Sequence, residues 1–159
     1  MQVIPIDSTS YGCYAQLSQH YEAEFSPLTG KTPDKQGFYA IMPLDPTHIG
    51  YLACLQQGLP VGFAVVDIGR ERFDIAEFYV IPTHRKFGYG RTFAFHIFDL
   101  YPGPWQVRQI AGADRAHNFW MSVIREYSQG QMTHDVEDDP DWGSVQIQRF
   151  LSRKPPVRI

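Results

Sequence analysis

Three stretches of this chain carry side chains that could do chemistry. The first is Arg85-Lys-Phe-Gly-Tyr-Gly-Arg91, with an alternating apolar run before it and a helical run from Thr92 to Tyr101 behind it. Two glycines two apart at the start of a helix let the backbone approach a ligand closely. They also leave N–H groups pointing outward at the positive end of the helix dipole. Arg85, Lys86 and Arg91 put three cations within seven residues of a chain whose net charge is −3. Strand, glycine turn and helix together make a cradle for a phosphate-bearing anion. The bland alternative is an ordinary tight turn. The stretch lacks the Lys-Ser/Thr of a P-loop and is not a complete G-x-G-x-x-G, so a different phosphate ligand such as a nucleotide stays open at this point.

The second is Glu77, set amid Ile75, Ala76, Phe78 and Tyr79. A carboxylate in such a run is costly to bury unpaired. Partial burial raises its pKa toward the range useful for taking a proton near neutral pH. Its alternative is a solvated residue or a partner for Arg72. Asp74 is the second candidate, and its face depends on whether the strand bulges. The third is the acidic run Glu137, Asp138, Asp139 and Asp141, which with Phe38 and Tyr39 could gather a small cation. A solvated turn is the favoured reading of that run.

These residues must be held by a scaffold. At 159 residues, 43% apolar and 14% aromatic, the chain fits a single domain, residues 1–159, with a real core. Gln2 to Ile6 reads as a strand. Asp7 to Ser10 supplies candidate N-caps for a helix from Tyr11 to Phe25, with Tyr14, Leu17, Tyr21 and Phe25 on one face. From Ser26 to His48 four prolines and two glycines interrupt regular structure. Gly50–Gln56 and Pro60–Ile68 form a hairpin about Gln57-Gly58, and Phe73–Ile81 is a third strand leading into the glycine turn. After the helix come a strand at Trp105–Ile110 and an amphipathic helix carrying Ala116, Phe119, Trp120, Val123, Ile124 and Tyr127, with Asp114 as N-cap. Two strands, Gln131–Glu137 and Ser144–Leu151, and a basic, proline-containing tail complete the chain. Hairpins mixed with helical crossovers predict an α/β (α+β) fold with a mixed, mostly antiparallel central sheet of about seven strands flanked by helices.

Composition narrows the function classes. Cys13 and Cys54 are unclustered and sit in apolar segments, which predicts buried free thiols. The six histidines show no H-E-x-x-H and no neighbouring Cys at zinc-ligand spacing, so no metal is expected. A pI near 6.0 argues against a nucleic-acid partner. The first residues lack a basic region and a long apolar run, so neither signal peptide nor membrane partner is expected, and the predicted location is cytoplasmic.

The longer pattern Val80-x-Pro82-x-x-Arg85-x-x-Gly88-x-Gly90 resembles the acyl-CoA signature of the GNAT superfamily of N-acyltransferases, commonly V-x-P-x-[YF]-[RQ]-x-x-G-x-[GA]. Five of its six letters are present, with His84 where an aromatic is usual. The element order also resembles the GNAT fold over nearly the whole chain. The resemblance implies an acetyl-CoA-dependent N-acetyltransferase acting on a small-molecule or peptide amine, often as a homodimer, by direct transfer in a ternary complex. It implies that Phe78, Tyr79 and Val80 run beside the pantetheine. The main-chain N–H groups of Arg85, Lys86, Phe87, Gly88, Tyr89, Gly90 and Arg91 would hold the pyrophosphate, and Glu77, with Asp74 second, would act as base. Three departures stand out. Trp120 occupies the place of a thiolate-protonating tyrosine four residues after Ala116, so it reads as core or as a wall of the CoA channel, and Tyr89, Tyr79 and Tyr127 become candidates for the acid. Ala113 replaces an asparagine, and Gln106 stands where some members carry Glu. A GNAT-like domain that binds acetyl-CoA without efficient catalysis is the second expectation.

Overall fold

The computed structural model describes residues 1–153. The tail predicted from the sequence lies, beyond Arg153, outside the described residues. The strands are β1 (Gln2–Pro5), β2 (His48–Cys54), β3 (Pro60–Asp67), β4 (Phe73–Val80), β5 (Gly103–Ile110), β6 (Met132–Asp139) and β7 (Gly143–Ser152); the helices are α1 (Tyr11–Thr29), α2 (Tyr89–Leu100) and α3 (Asp114–Tyr127). The seven strands form one sheet in the order β1-β2-β3-β4-β5-β7-β6. The sheet is mixed and mostly antiparallel, as the hairpin-and-crossover pattern predicts.

The chain divides into two compact units. The first comprises Met1–Asp67 and Ala76–Gly90. In it β1, β2 and β3 pair antiparallel. Gly62 of β3 could be no other residue without movement, because a Cβ there would lie 2.4 Å from the Tyr79 carbonyl oxygen. The core is Tyr14 and Leu17 of α1 against Leu52, Phe63, Val65 and Tyr79. Tyr14 meets Phe63 edge to face at 5.2 Å, and Tyr21 meets Tyr79 at 6.2 Å, geometries that aromatic quadrupoles favour.

Helix α1 runs past the predicted end at Phe25, through Pro27, to Thr29. A proline inside a helix leaves the carbonyl four residues back without its donor. Here that carbonyl belongs to Ala23, and the Ser26 hydroxyl donates to it at 2.8 Å, which lets the last turn persist until Gly30 closes it in the left-handed region, φ 70°. Cys13 is exposed and only Cys54 is buried, a correction to the expectation for both thiols. The inward face of α1 is already taken by Tyr14 and Leu17, which turns Cys13 outward. The irregular stretch after Gly30 is tied to α1 by side chains. The Tyr14 hydroxyl donates to the Met42 carbonyl at 2.7 Å, and the Gln19 amide both donates to and accepts from the Tyr39 backbone.

The second unit comprises Ile68–Ile75 and the chain from Arg91 onward. Its β5, β7 and β6 pair antiparallel, and the start of β4 pairs parallel with β5 at Phe73–Trp105 and Asp74–Gln106. Phe98, Trp105 and Phe150 form its aromatic centre, with ring centroids 5.0 and 4.8 Å from Phe98. Asp114 is the first residue of α3 rather than its cap, the N-cap position falling to Ala113; an acidic residue there still faces the helix dipole favourably.

Candidate active site

The glycine turn belongs to the first unit. Lys86 and Gly88 both adopt positive φ, 68° and 81°, so the backbone reverses twice before α2 begins. Among the described residues, the N–H groups of Lys86, Phe87 and Gly88 have no backbone acceptor. Those of Tyr89 and Gly90 begin the first turn of α2, where donors have no partner within the helix. The turn therefore presents a run of unspent donors that suits a pyrophosphate. Lys86 and Phe87 are exposed beside it, Phe87 at 73%.

Arg85, by contrast, is spent inside the protein. Its guanidinium forms a bidentate pair with Glu24, both contacts at 2.7 Å, its Nε donates to the Val80 carbonyl at 2.7 Å, and it lies 5.4 Å over the Tyr79 ring. Its backbone N–H is also committed, to the Pro82 carbonyl. The side chain clamps the turn to α1 and to the end of β4. In the second unit Arg91 pairs with Glu126 and stacks on Phe95 at 4.8 Å. Of the three cations read as favouring an anion, Lys86 alone has no ion pair among the described residues.

Glu77 is 6% exposed, and its Oε2 is buried without a hydrogen-bond partner among the described residues. Burial, the largest cause, and the charge of Glu22 push its carboxyl up to about 7, while Lys31 pulls it back. Glu22 comes from α1 and is 2% exposed. Both its oxygens are held by the Lys31 ammonium, at 2.9 and 3.0 Å. Strand alternation puts Glu77 on the same face as Tyr79, which meets Tyr21 of α1. Burial and the nearby charge of Glu77 raise the hydroxyls of Tyr14 and Tyr21 well above the ordinary tyrosine range. A carboxyl raised by burial in an apolar, aromatic setting can take up a proton near neutral pH.

Sequence reading missed Glu22 and Lys31. Glu22 lies eight residues after Tyr14, on the buried side of α1 that it shares with Tyr14, Leu17 and Ser18, and that placement was the available signal. Lys31 lies in the proline-rich stretch, where no periodicity points anywhere.

Asp74 sits in the second unit at 1% exposure. Its Oδ2 accepts from Arg108 Nε at 2.8 Å and from the Gln106 amide at 3.0 Å, while Oδ1 is buried without a partner among the described residues. Burial raises its pKa, against the pull of Arg108 and Gln106. The acidic run near the last turn is also largely committed. Glu137 pairs with Arg149 at 2.8 Å and Asp139 with Arg108 at 3.5 Å, and the Asp139 carboxylate accepts the N–H groups of Asp141 and Trp142. Glu137, Asp138, Asp139, Arg108 and Arg149 line a mixed-charge cavity of about 200 Å³ together with Arg70.

Trp120 is 5% exposed and packs against Phe119 and Phe98 at 4.9 and 6.2 Å, in the core of the second unit. Of the candidate acids, the Tyr127 hydroxyl donates to Asp99 at 2.7 Å, lies 2.8 Å from the Ser152 hydroxyl, and is pushed by burial to about 12. Tyr79 is 4% exposed and raised by burial. Tyr89 is half-buried at the first residue of α2. Among the described residues no cluster of three or more His, Cys, Asp or Glu could hold a metal, and no helix is long and apolar enough to cross a membrane.

No sequence-family profile matches this chain. No curated protein matches its sequence. The architecture, however, is shared with solved structures. One is an acetyltransferase assigned to the GNAT family from Bacteroides thetaiotaomicron, with TM-score 0.66 and 15% identity, covering 96% of this chain and 88% of that one. Another is the ribosomal-protein-S18-alanine N-acetyltransferase from Escherichia coli, with TM-score 0.62, 11% identity and coverage of 99% and 97%. A third is the spermidine N-acetyltransferase from Vibrio cholerae in complex with CoA and spermine, with TM-score 0.60, 11% identity and 96% of each chain covered. The chain has the GNAT N-acetyltransferase fold that the signature pattern implies.

Proposed function

We propose that this protein is an N-acetyltransferase that moves an acetyl group from acetyl-CoA to a primary amine by direct transfer. The observation that carries the reading is Glu77, a buried carboxyl poised near 7 in the same compact unit as a turn of unspent N–H donors. The backbone of Lys86 to Gly90, with the Lys86 ammonium, would hold the pyrophosphate, and Phe78 to Val80 would run beside the pantetheine. Bound acetyl-CoA would supply the activated thioester. Glu77 takes the proton that an ammonium acceptor must lose before its nitrogen can attack, a task suited to a base whose pKa lies near the working pH. Tyr89 is the candidate for protonating the departing thiolate, since the Tyr127 hydroxyl is committed to Asp99. The substrates named for neighbouring folds, spermidine and an alanine of ribosomal protein S18, support an amine as acceptor class.

Isothermal calorimetry with acetyl-CoA, CoA and ATP tests the cofactor. Micromolar binding of the two CoA species and none of ATP is expected, and ATP binding alone would overturn the reading. Thiol release across polyamines, aminoglycosides, amino acids and peptide N-termini then identifies the acceptor. A second reading, an acetyl-CoA-binding sensor without efficient turnover, is favoured by one observation: the residue in the usual acid position is Trp120, buried in the core. Tight CoA binding with no thiol release from any acceptor would select it.

A further inference from the structure

The second unit buries two amides where an apolar core would be cheaper. Gln109 of β5 and Gln148 of β7 are 4% and 0% exposed and exchange two hydrogen bonds, at 2.8 and 2.9 Å. Buried amides cost stability unless their groups are paired. This pair satisfies itself and still has oxygen capacity to spare, because Gln109 Oε1 also meets Nδ1 of His117, on α3, at 3.2 Å. On β6, His134 stands opposite Gln148 in the register and turns its Nε2 to Oε1 of Gln146. The two imidazoles are neighbours, with ring centroids 5.2 Å apart and planes tilted by 40°.

Hydrogen bonding decides which ring nitrogens are left over. An amide oxygen only accepts, so Nδ1 of His117 and Nε2 of His134 carry hydrogens. In the neutral rings the lone pairs therefore fall on Nε2 of His117 and Nδ1 of His134. Histidines that bind metal are built this way: one nitrogen donates to an oxygen behind the ring, and the other coordinates. Two imidazoles that share an ion at about 2.1 Å and a near-tetrahedral angle have centroids about 5 Å apart, which the spacing here matches. His134 is exposed and His117 half-buried, which gives an ion access. We propose that His117 and His134 form a two-histidine site for a late first-row divalent metal ion, with Gln109 and Gln146 orienting the rings and water completing the coordination. Imidazole donors suit Cu2+, Ni2+ and Zn2+ in preference to Mg2+. Bound there, the ion ties β6, the edge strand of the sheet, to α3. The site needs no CoA and stands apart from the acetyltransferase reading.

The test is isothermal calorimetry of the full chain with Ni2+, Zn2+ and Mg2+, together with histidine-ring NMR under substoichiometric Cu2+. A single equivalent of Ni2+ or Zn2+ is expected to bind at micromolar Kd, with no binding of Mg2+. Cu2+ should broaden the His117 and His134 rings before those of His20, His48, His84 and His96. His117→Ala and His134→Ala should each weaken Ni2+ roughly tenfold or more, and the double variant little further, since either change breaks the chelate. Gln146→Leu keeps both donors and removes only the oxygen behind His134, and should weaken Ni2+ about tenfold. The exposed His134→Ala decides the matter if His117→Ala does not fold. Absence of saturable Ni2+ and Zn2+ binding overturns the proposal. So does Ni2+ affinity unchanged in His134→Ala, which would mean an adventitious ion only.

Discussion

Strand β4 carries two buried carboxylates that the two units treat differently. Asp74, in the second unit, meets a guanidinium at 2.8 Å and an amide at 3.0 Å. Glu77, in the first, meets neither, and the nearby charge it feels most is another carboxylate. Each has one oxygen without a partner, and burial raises both. The difference is the sign of the neighbour. The Asp74 carboxylate is held in place by Arg108 and Gln106, whereas the Glu77 Oε2 has no such partner among the described residues. Burial alone therefore does not separate the two carboxyls; the presence or absence of a hydrogen-bonded counter-ion does.

Breaking that contrast at Glu77 should give the largest effect. Glu77→Gln is expected to lower turnover by about 100-fold, the usual contribution of a general base, with the Kd for CoA from calorimetry unchanged. Undiminished turnover across the pH range would remove it as base. The same variant should alter the pH dependence of stability. A carboxyl whose folded pKa, about 7, lies above its unfolded value contributes stability that is fully present below the unfolded value and lost as pH rises through 7. Denaturant midpoints of the wild-type protein should thus fall between pH 4.5 and 7, a decline that flattens in Glu77→Gln.

At Asp74 the expectation is reversed. Asp74→Ala should cost about 2 kcal/mol of stability by taking from Arg108 its buried partner and leaving it only the longer contact to Asp139, read from urea unfolding, while turnover stays within a few-fold of wild type. A stable variant with lost turnover would exchange the roles of the two residues. The smallest effect should come from the turn that shares a unit with Glu77. Gly88 holds φ 81° with open space where a Cβ would lie, so Gly88→Val acts through backbone strain of about 1–2 kcal/mol, weakening CoA roughly tenfold. Binding indistinguishable from wild type would move the ligand away from this turn.

Much of the fold was legible because its signals are local. Alternation gave the strands, Gln57-Gly58 the hairpin turn, and the i, i+3, i+4 pattern from Ala116 to Tyr127 gave α3. The glycine turn ahead of α2 was equally local. What escaped were partnerships set by distant chain. Arg85 reads as a ligand cation until Glu24, 61 residues earlier, is seen to take it. Asp74 finds Arg108 34 residues on, which no spacing predicts. Glu77 could be singled out from its apolar surroundings, but Glu22 and Lys31 could not, because their meeting depends on where α1 ends.

That ending depends on the Ser26 hydroxyl. By covering the Ala23 carbonyl that Pro27 leaves bare, it carries the helix one further turn and delivers Lys31 to Glu22. Residues 26–31 resemble a tolerant surface loop in composition, yet they act as a ruler. Substitutions on their outer side should be accommodated readily, whereas inserting a single residue between Ser26 and Lys31 should detach the ammonium from its carboxylate. Variation among natural relatives would then appear in residue identity and not in length.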